Sequence, residues 1–222
     1  LPSWFFNFSN IVVPESRNHR LEPFLPQGAR LLLLGSFPPP KNRWSMNFYY
    51  PNFLNDMCRI MGLVFFNQSG YFIEGNAFNR ELIESFCREK GLALYDAAVK
   101  IARTTGNASD QYLEVRRPID LAWVLDRLPV CDHVAVTGQK AAKTVLEVLA
   151  GNGFAQELKL PALGASVTFR YGERLIRLFR MPSTSRAYPM PLVEKVSYYR
   201  KLFESSLNHS HSIVAGGLED IS

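Results

Sequence analysis

Leu31-Leu32-Leu33-Leu34, ending at Gly35, constrains the fold more than any other stretch. An unbroken leucine run has no polar face in either a helical or a strand period, so it is buried on both sides. It is short, and a proline-stiffened loop, Ser36-Phe37-Pro38-Pro39-Pro40, follows it. Arg30 to Gly35 therefore reads as an inner strand of a parallel sheet. Ligands of such sheets bind beyond the carboxyl ends of the strands. The loop that begins at Gly35 is thus a candidate for half of an active site.

The remaining chain supplies partners for that strand. Residues 1–29 read as an N-terminal arm, with Trp4, Phe5, Phe6 and Phe8 followed by a polar, proline-punctuated stretch that contains His19. Leu54, Met57, Ile60, Met61 and Val64 are spaced for a helix over Phe53 to Val64. Asn79 to Lys90 reads as a second helix, capped by Asn79 and stopped by Gly91. Leu92 to Ile101 reads as a second buried strand, and Arg103 to Arg117 as a polar loop. A helix is expected from Pro118 to Leu128, then a third strand over Asp132 to Thr137, then a helix from Gly138 to about Leu149. A loop spans Gly151 to Gly164. Val167 to Tyr171 and Arg174 to Phe179 pair as a hairpin around Gly172. A loop from Met181 to Pro191 precedes a last helix, Leu192 to Leu207, and residues 208–222 read as a mobile tail. Strands alternate with helices and no linker divides them. The expectation is a single α/β domain, a three-layer α/β/α sandwich around a mostly parallel sheet.

Composition narrows the chemistry. The 222 residues carry a formal charge of +5, which suits an anionic partner such as nucleic acid without requiring one. Cys58, Cys87 and Cys131 are isolated, with no CxxC pair, so neither a disulfide framework nor a cysteine metal site is expected. No apolar run approaches the roughly 18 residues of a membrane span. The first residues show no basic segment leading into an apolar one, so cytoplasmic residence is the default expectation.

The expected strand ends form three constellations. After Gly35 come Phe37 and Tyr50, flat enough to stack on a planar ring, and Asn47, Asn52 and Asn55, whose amides both donate and accept. Taken singly, these asparagines serve turns; their concentration beyond a strand end favours a site. After the third strand, Thr137-Gly138-Gln139-Lys140 opens a helix that could hold an anion, yet it is not a Walker A loop. After the hairpin, Met181-Pro182-Ser183-Thr184-Ser185-Arg186 offers small residues whose amides can approach a phosphate. Ser36 lacks the GxSxG frame of a hydrolase elbow. No HExxH or paired-histidine spacing points to a metal.

In this order, Gly35-Ser36-Phe37-Pro38, Tyr49-Tyr50, Asn55, then Val136-Thr137-Gly138-Gln139-Lys140-Ala141 and Met181-Pro182-Ser183-Thr184-Ser185, the chain resembles the uracil-DNA glycosylase superfamily. Its hypoxanthine-DNA and mismatch-specific uracil/thymine-DNA glycosylase branches look nearest. The similarity spans about residues 30 to 205. It implies a DNA glycosylase of base excision repair that flips its target base out of duplex DNA and needs no metal or organic cofactor. It implies Asn55 as the catalytic residue that orients water or holds the base. Gly35, Ser36, Phe37, Tyr50 and Asn52 would bind the base. Lys140, Pro182, Ser183, Thr184, Ser185, Arg186 and Tyr188 would bind DNA. Several positions depart from the family: Phe37 stands where many members have a catalytic asparagine, Pro51-Asn52-Phe53 replaces Gly-His-Pro, Cys58 replaces a tryptophan, and the second loop lacks a histidine. Lys41 is the one lysine near the first loop, so a monofunctional enzyme is expected rather than a lyase. A monomer is the default. The alternative class is a catalytically weak or inactive nucleic-acid-binding protein on the same fold.

Overall fold

The computed structural model describes residues 16–103, 113–154 and 158–207. The aromatic N-terminal cluster and the tail from residue 208 lie outside the described residues. The elements are β1 (Ser16–Asn18), β2 (Leu31–Gly35), α1 (Met57–Phe66), β3 (Ile73–Glu74), β4 (Ala77–Phe78), α2 (Arg80–Lys90), β5 (Leu92–Asp96), β6 (Ala98–Arg103), β7 (Leu113–Pro118), α3 (Leu121–Asp126), β8 (His133–Thr137), α4 (Gln139–Gly151), β9 (Ser166–Tyr171), β10 (Arg174–Met181) and α5 (Leu192–Leu207).

The main sheet has the order β5-β2-β8-β10-β9. β5, β2, β8 and β10 run parallel, and β9 closes one edge as the antiparallel half of a hairpin. Every residue of β2, β5 and β8 is buried, as their apolar composition requires. The β2-to-β5 crossover runs toward one edge of the sheet, and the β8-to-β10 crossover toward the other. Right-handed crossovers therefore place α1 and α2 on one face and α4 on the opposite face. α5 packs on α1 and completes the first helical layer. The result is the expected α/β/α sandwich.

Local chemistry sets the boundaries. Asn79 accepts from Leu82 N at 3.0 Å and Gly91 ends α2 at φ 69°, as the sequence predicts. α1 starts four residues later than its apolar spacing suggests, at Met57 rather than Phe53. The Asn52 and Asn55 side chains accept from Leu54 N and Met57 N, each at 2.9 Å, and these local turns compete with helix. Leu54 is left exposed. The strand expected over Leu92 to Ile101 is two strands. β5 ends at Asp96, and after Ala97 the chain leaves the main sheet to become β6, the centre of a small antiparallel sheet β1-β6-β7. Small residues at the corner, Ala97 and Ala98, and register shifts around Lys100 accommodate the bend. Part of the expected loop Arg103 to Arg117 is therefore strand β7. Pro118 ends β7 instead of opening a helix, and α3 starts after Asp120, whose carboxylate accepts from Trp123 N at 3.0 Å.

Leu33 is 0% exposed and lies between β5 and β8. Leu33→Ala is expected to cost about 3 kcal/mol in urea unfolding, with the denaturant slope unchanged.

Candidate active site

β2 and β8 are neighbours whose following connections leave toward opposite edges of the sheet. This is the point at which a doubly wound sheet opens a crevice at its carboxyl edge. A cavity of about 690 Å³ lies there. Gly35, Ser36, Phe37, Tyr50, Asn52 and Asn55 line it from the β2 side. Thr137, Gly138, Gln139 and Lys140 line it after β8, and Ser183, Thr184, Ser185 and Tyr188 after β10. The three expected strand-end constellations thus share one cavity. Arg43, Lys140 and Lys143 add positive charge, with Arg43 and Lys143 exposed. Two residues expected to bind DNA, Pro182 and Arg186, lie off the cavity lining. Pro182 is buried and does not line the cavity; its carbonyl accepts from the Tyr199 hydroxyl at 2.8 Å. Arg186 also lies off the lining, with its Nε 3.2 Å from Oδ1 of Asp56.

The floor is built around Gly35. A Cβ at this position would collide with Oδ1 of Asp96, its register partner on β5, so only glycine admits the carboxylate. Tyr50 packs against the same spot. Its backbone has φ 54°, a left-handed conformation that costs a non-glycine residue about 1 kcal/mol or more. The Tyr50 hydroxyl is buried without a hydrogen-bond partner. Its pKa is pushed up, first by burial and then by the Asp96 charge. The Asp96 carboxylate and the Tyr50 phenol thus share the cavity floor, with the Thr137 hydroxyl beside the phenol.

Asp96 is held from behind by His19, with Nε2 2.7 Å from Oδ2. Nδ1 of His19 is 2.8 Å from the Leu21 carbonyl oxygen and also accepts from Leu21 N at 3.2 Å, which fixes the ring at both ends. Burial opposes a charge on the ring, but the hydrogen bond and charge of Asp96, aided by Leu21 O and Glu22, raise the His19 pKa above its usual 6.5. Phe37, Tyr49 and Tyr95 enclose the ring. This corrects the assignment of His19 to a loose arm: β1 pairs with β6 and brings the histidine to the site. Phe37 meets the His19 ring edge-to-face while still lining the cavity.

The opposite wall is a clasp between the start of α1 and the loop after β10. Asn55 and Ser185 form a short antiparallel bridge, and Asp56 N donates to Thr184 O at 2.8 Å. Asp56, 4% exposed, is bound by Lys195 Nζ at 2.9 Å as well as by Arg186. Within the loop, Ser183 Oγ accepts from Ser185 N and Ser185 Oγ from Ala187 N. All three cysteines are buried, and burial pushes the Cys87 and Cys131 thiols up to about 12, so they stay protonated. Among the described residues no group of His, Cys, Asp and Glu could hold a metal ion. Nor is any described helix long and apolar enough to cross a membrane.

Sequence reasoning missed Asp96, His19, Asp56 and Lys195. Asp96 had a signal, an acidic residue ending the buried run Leu92-Ala93-Leu94-Tyr95 at the edge where Gly35 ends its own run. The other three had none, because their partners are far away in the chain.

No family model matches the chain, and no curated protein sequence does. Solved structures do. One is a solution NMR structure from Methanosarcina acetivorans described as a "putative Uracil DNA glycosylase". It is 17% identical, with a TM-score of 0.59, and the match covers 85% of this chain and 97% of that one. The likeness is one of fold.

The His19–Asp96 pair makes stability depend on pH. A folded pKa above 6.5 stabilises the fold fully below that value and ceases to do so as pH rises through the folded pKa. Urea unfolding should therefore show stability falling above about pH 6.5. His19→Gln should flatten that limb of the profile; an unchanged profile would show that the pair does not carry it.

Proposed function

We propose that the chain is a monofunctional DNA glycosylase of base excision repair, hydrolysing the bond between deoxyribose and a deaminated or mispaired base. The observation that carries this reading is the cavity floor. The Asp96 carboxylate and the Tyr50 phenol line it together, an acceptor beside a donor, with the carboxylate seated in the space that Gly35 leaves free of a side chain. That pair complements the adjacent N–H and C=O of a lactam edge, such as those of uracil and hypoxanthine. The fold shared with the Methanosarcina protein supports the same reading.

Duplex DNA approaches the cations at Arg43, Lys140 and Lys143, and the Ser183–Ser185 loop grips the phosphates. The target base turns out of the stack into the cavity, stacked by Phe37 or Tyr50. Asn55 has two Nδ2 hydrogens and a second Oδ1 lone pair beyond the one taken by Met57 N. With these it holds the attacking water or the base edge. The C1′–N bond breaks, water adds hydroxide to C1′, and the base leaves with the water's proton. Positioning and electrostatics suffice for so dissociative a reaction, and no metal or organic cofactor takes part. The protein works as a monomer, one molecule to one lesion.

Duplex oligonucleotides carrying uracil, hypoxanthine, a G·T mispair or etheno bases, treated with the protein and then with alkali, test the reading. At least one should yield abasic sites. Asn55→Ala should slow that reaction about 100-fold without loss of duplex affinity, and Asp96→Asn should change the preference among bases more than the affinity for undamaged duplex. An unaltered rate in Asn55→Ala would remove Asn55 from the mechanism. The non-catalytic reading has one observation in its favour: Oδ1 of Asn55 already serves as a turn cap for Met57. Duplex binding with no abasic product from any base would select it.

A further inference from the structure

The clasp around Asp56 has a charge pattern that the mechanism above leaves unused. Lys195 is 1% exposed, on the face of α5 that otherwise buries Tyr199, Leu202 and Phe203. Its ammonium binds Asp56 Oδ2 at 2.9 Å and the Ser185 carbonyl at 2.8 Å. Arg186 meets the other carboxylate oxygen from outside, its side chain 48% exposed. Arg59 lies close enough for the Arg186 charge to lower its pKa, after burial itself, and donates to the Phe53 and Asn55 carbonyls. Three cations therefore surround one carboxylate. Lys195 is sequestered and Arg59 is held by carbonyls. Arg186 is the one that faces water.

A buried ion pair is a poor source of stability, because desolvation offsets most of its attraction. This one does something that an apolar pair would not. Since Lys195 keeps Asp56 neutralised, Arg186 can leave the carboxylate without stranding a buried charge. We infer that Lys195 is a positioning residue with two effects. It locks the Ser185 segment against Asn55, and it frees Arg186 to exchange the Asp56 carboxylate for a phosphate of bound DNA. The second effect rests on the DNA reading above; the first does not.

The experiment is a salt titration of undamaged duplex binding, with and without Arg186→Ala, in three backgrounds: parent, Lys195→Met and Lys195→Met/Asp56→Asn. Removing a single phosphate interaction lowers the slope of log K against log salt by about 0.9. Arg186→Ala should lower it by about that much in the parent. In Lys195→Met, Asp56 retains Arg186, and the substitution should leave the slope unchanged. In the double variant nothing retains Arg186, and the effect should return. An equal drop in all three backgrounds, or no drop in the parent, overturns the exchange. Amide hydrogen exchange reads the lock separately. Residues 183–187 should lose protection about tenfold in the double variant, with the β2 and β8 amides unchanged. Retained protection overturns the positioning role. Should Lys195→Met alone fail to fold, Lys195→Gln, uncharged but still able to donate a hydrogen bond, replaces it in the slope comparison, and the double variant decides the lock by its hydrogen exchange. A parent with no salt-dependent duplex binding sinks the DNA reading together with the exchange, while the lock stands or falls on the hydrogen exchange alone.

Discussion

A hydrogen atom in place of a side chain at Gly35 is the constraint on which the site depends. The parallel register sets Gly35 beside Asp96, and the carboxylate occupies the volume that a Cβ would fill. A carboxylate so placed, at the end of a wholly buried strand, needs a counter-charge from the protein. His19 supplies it, and it reaches Asp96 because β1 pairs with β6. The corner between β5 and β6 follows from the same demand. The chain leaves the main sheet after Ala97, and the strand it becomes is the one that carries β1, just ahead of the histidine.

Two buried carboxylates flank the cavity, and they are compensated in different ways. Asp96 has a histidine, a partner whose charge changes within the physiological range. Asp56 has a lysine and an arginine, one sequestered and one at the surface. The first arrangement makes the cavity floor sensitive to pH. The second gives the opposite wall a different kind of compensation. The Asp96 carboxylate lies at the floor, while Arg43 and Lys143 lie exposed at the cavity's edge.

The parts of this layout that follow from local pattern were legible in the sequence. The leucines of β2, the cap and stop of α2, the span of α5 and the hairpin of β9 and β10 each depend on neighbours within a few residues. The convergence of the loops after Gly35, Thr137 and Met181 was also readable, since parallel strands put their carboxyl ends on one edge. Illegible were the features decided by distant partners. The apolar spacing from Phe53 gave no sign that Asn52 and Asn55 would hold the chain out of a helix until Met57. Nothing in Leu92 to Ile101 announced a change of sheet at Ala97. Lys195 is a charged residue among apolar ones on a helix, and only Asp56, 139 residues earlier, explains its burial.

Those separations also bear on the order in which the molecule assembles. The His19–Asp96 contact spans 77 residues, and the Lys195–Asp56 contact spans 139. The leucine-rich strands and the helices that pack on them collapse through apolar contacts that require neither ion pair. Contacts that close such long loops gain little until the intervening chain is already ordered. Both polar locks therefore belong to the final, native side of the folding barrier. Weakening them should leave the folding rate nearly untouched and speed unfolding instead, so that φ-values at His19 and Lys195 lie near zero. The scaffold is a product of early collapse, and the site is added to it last.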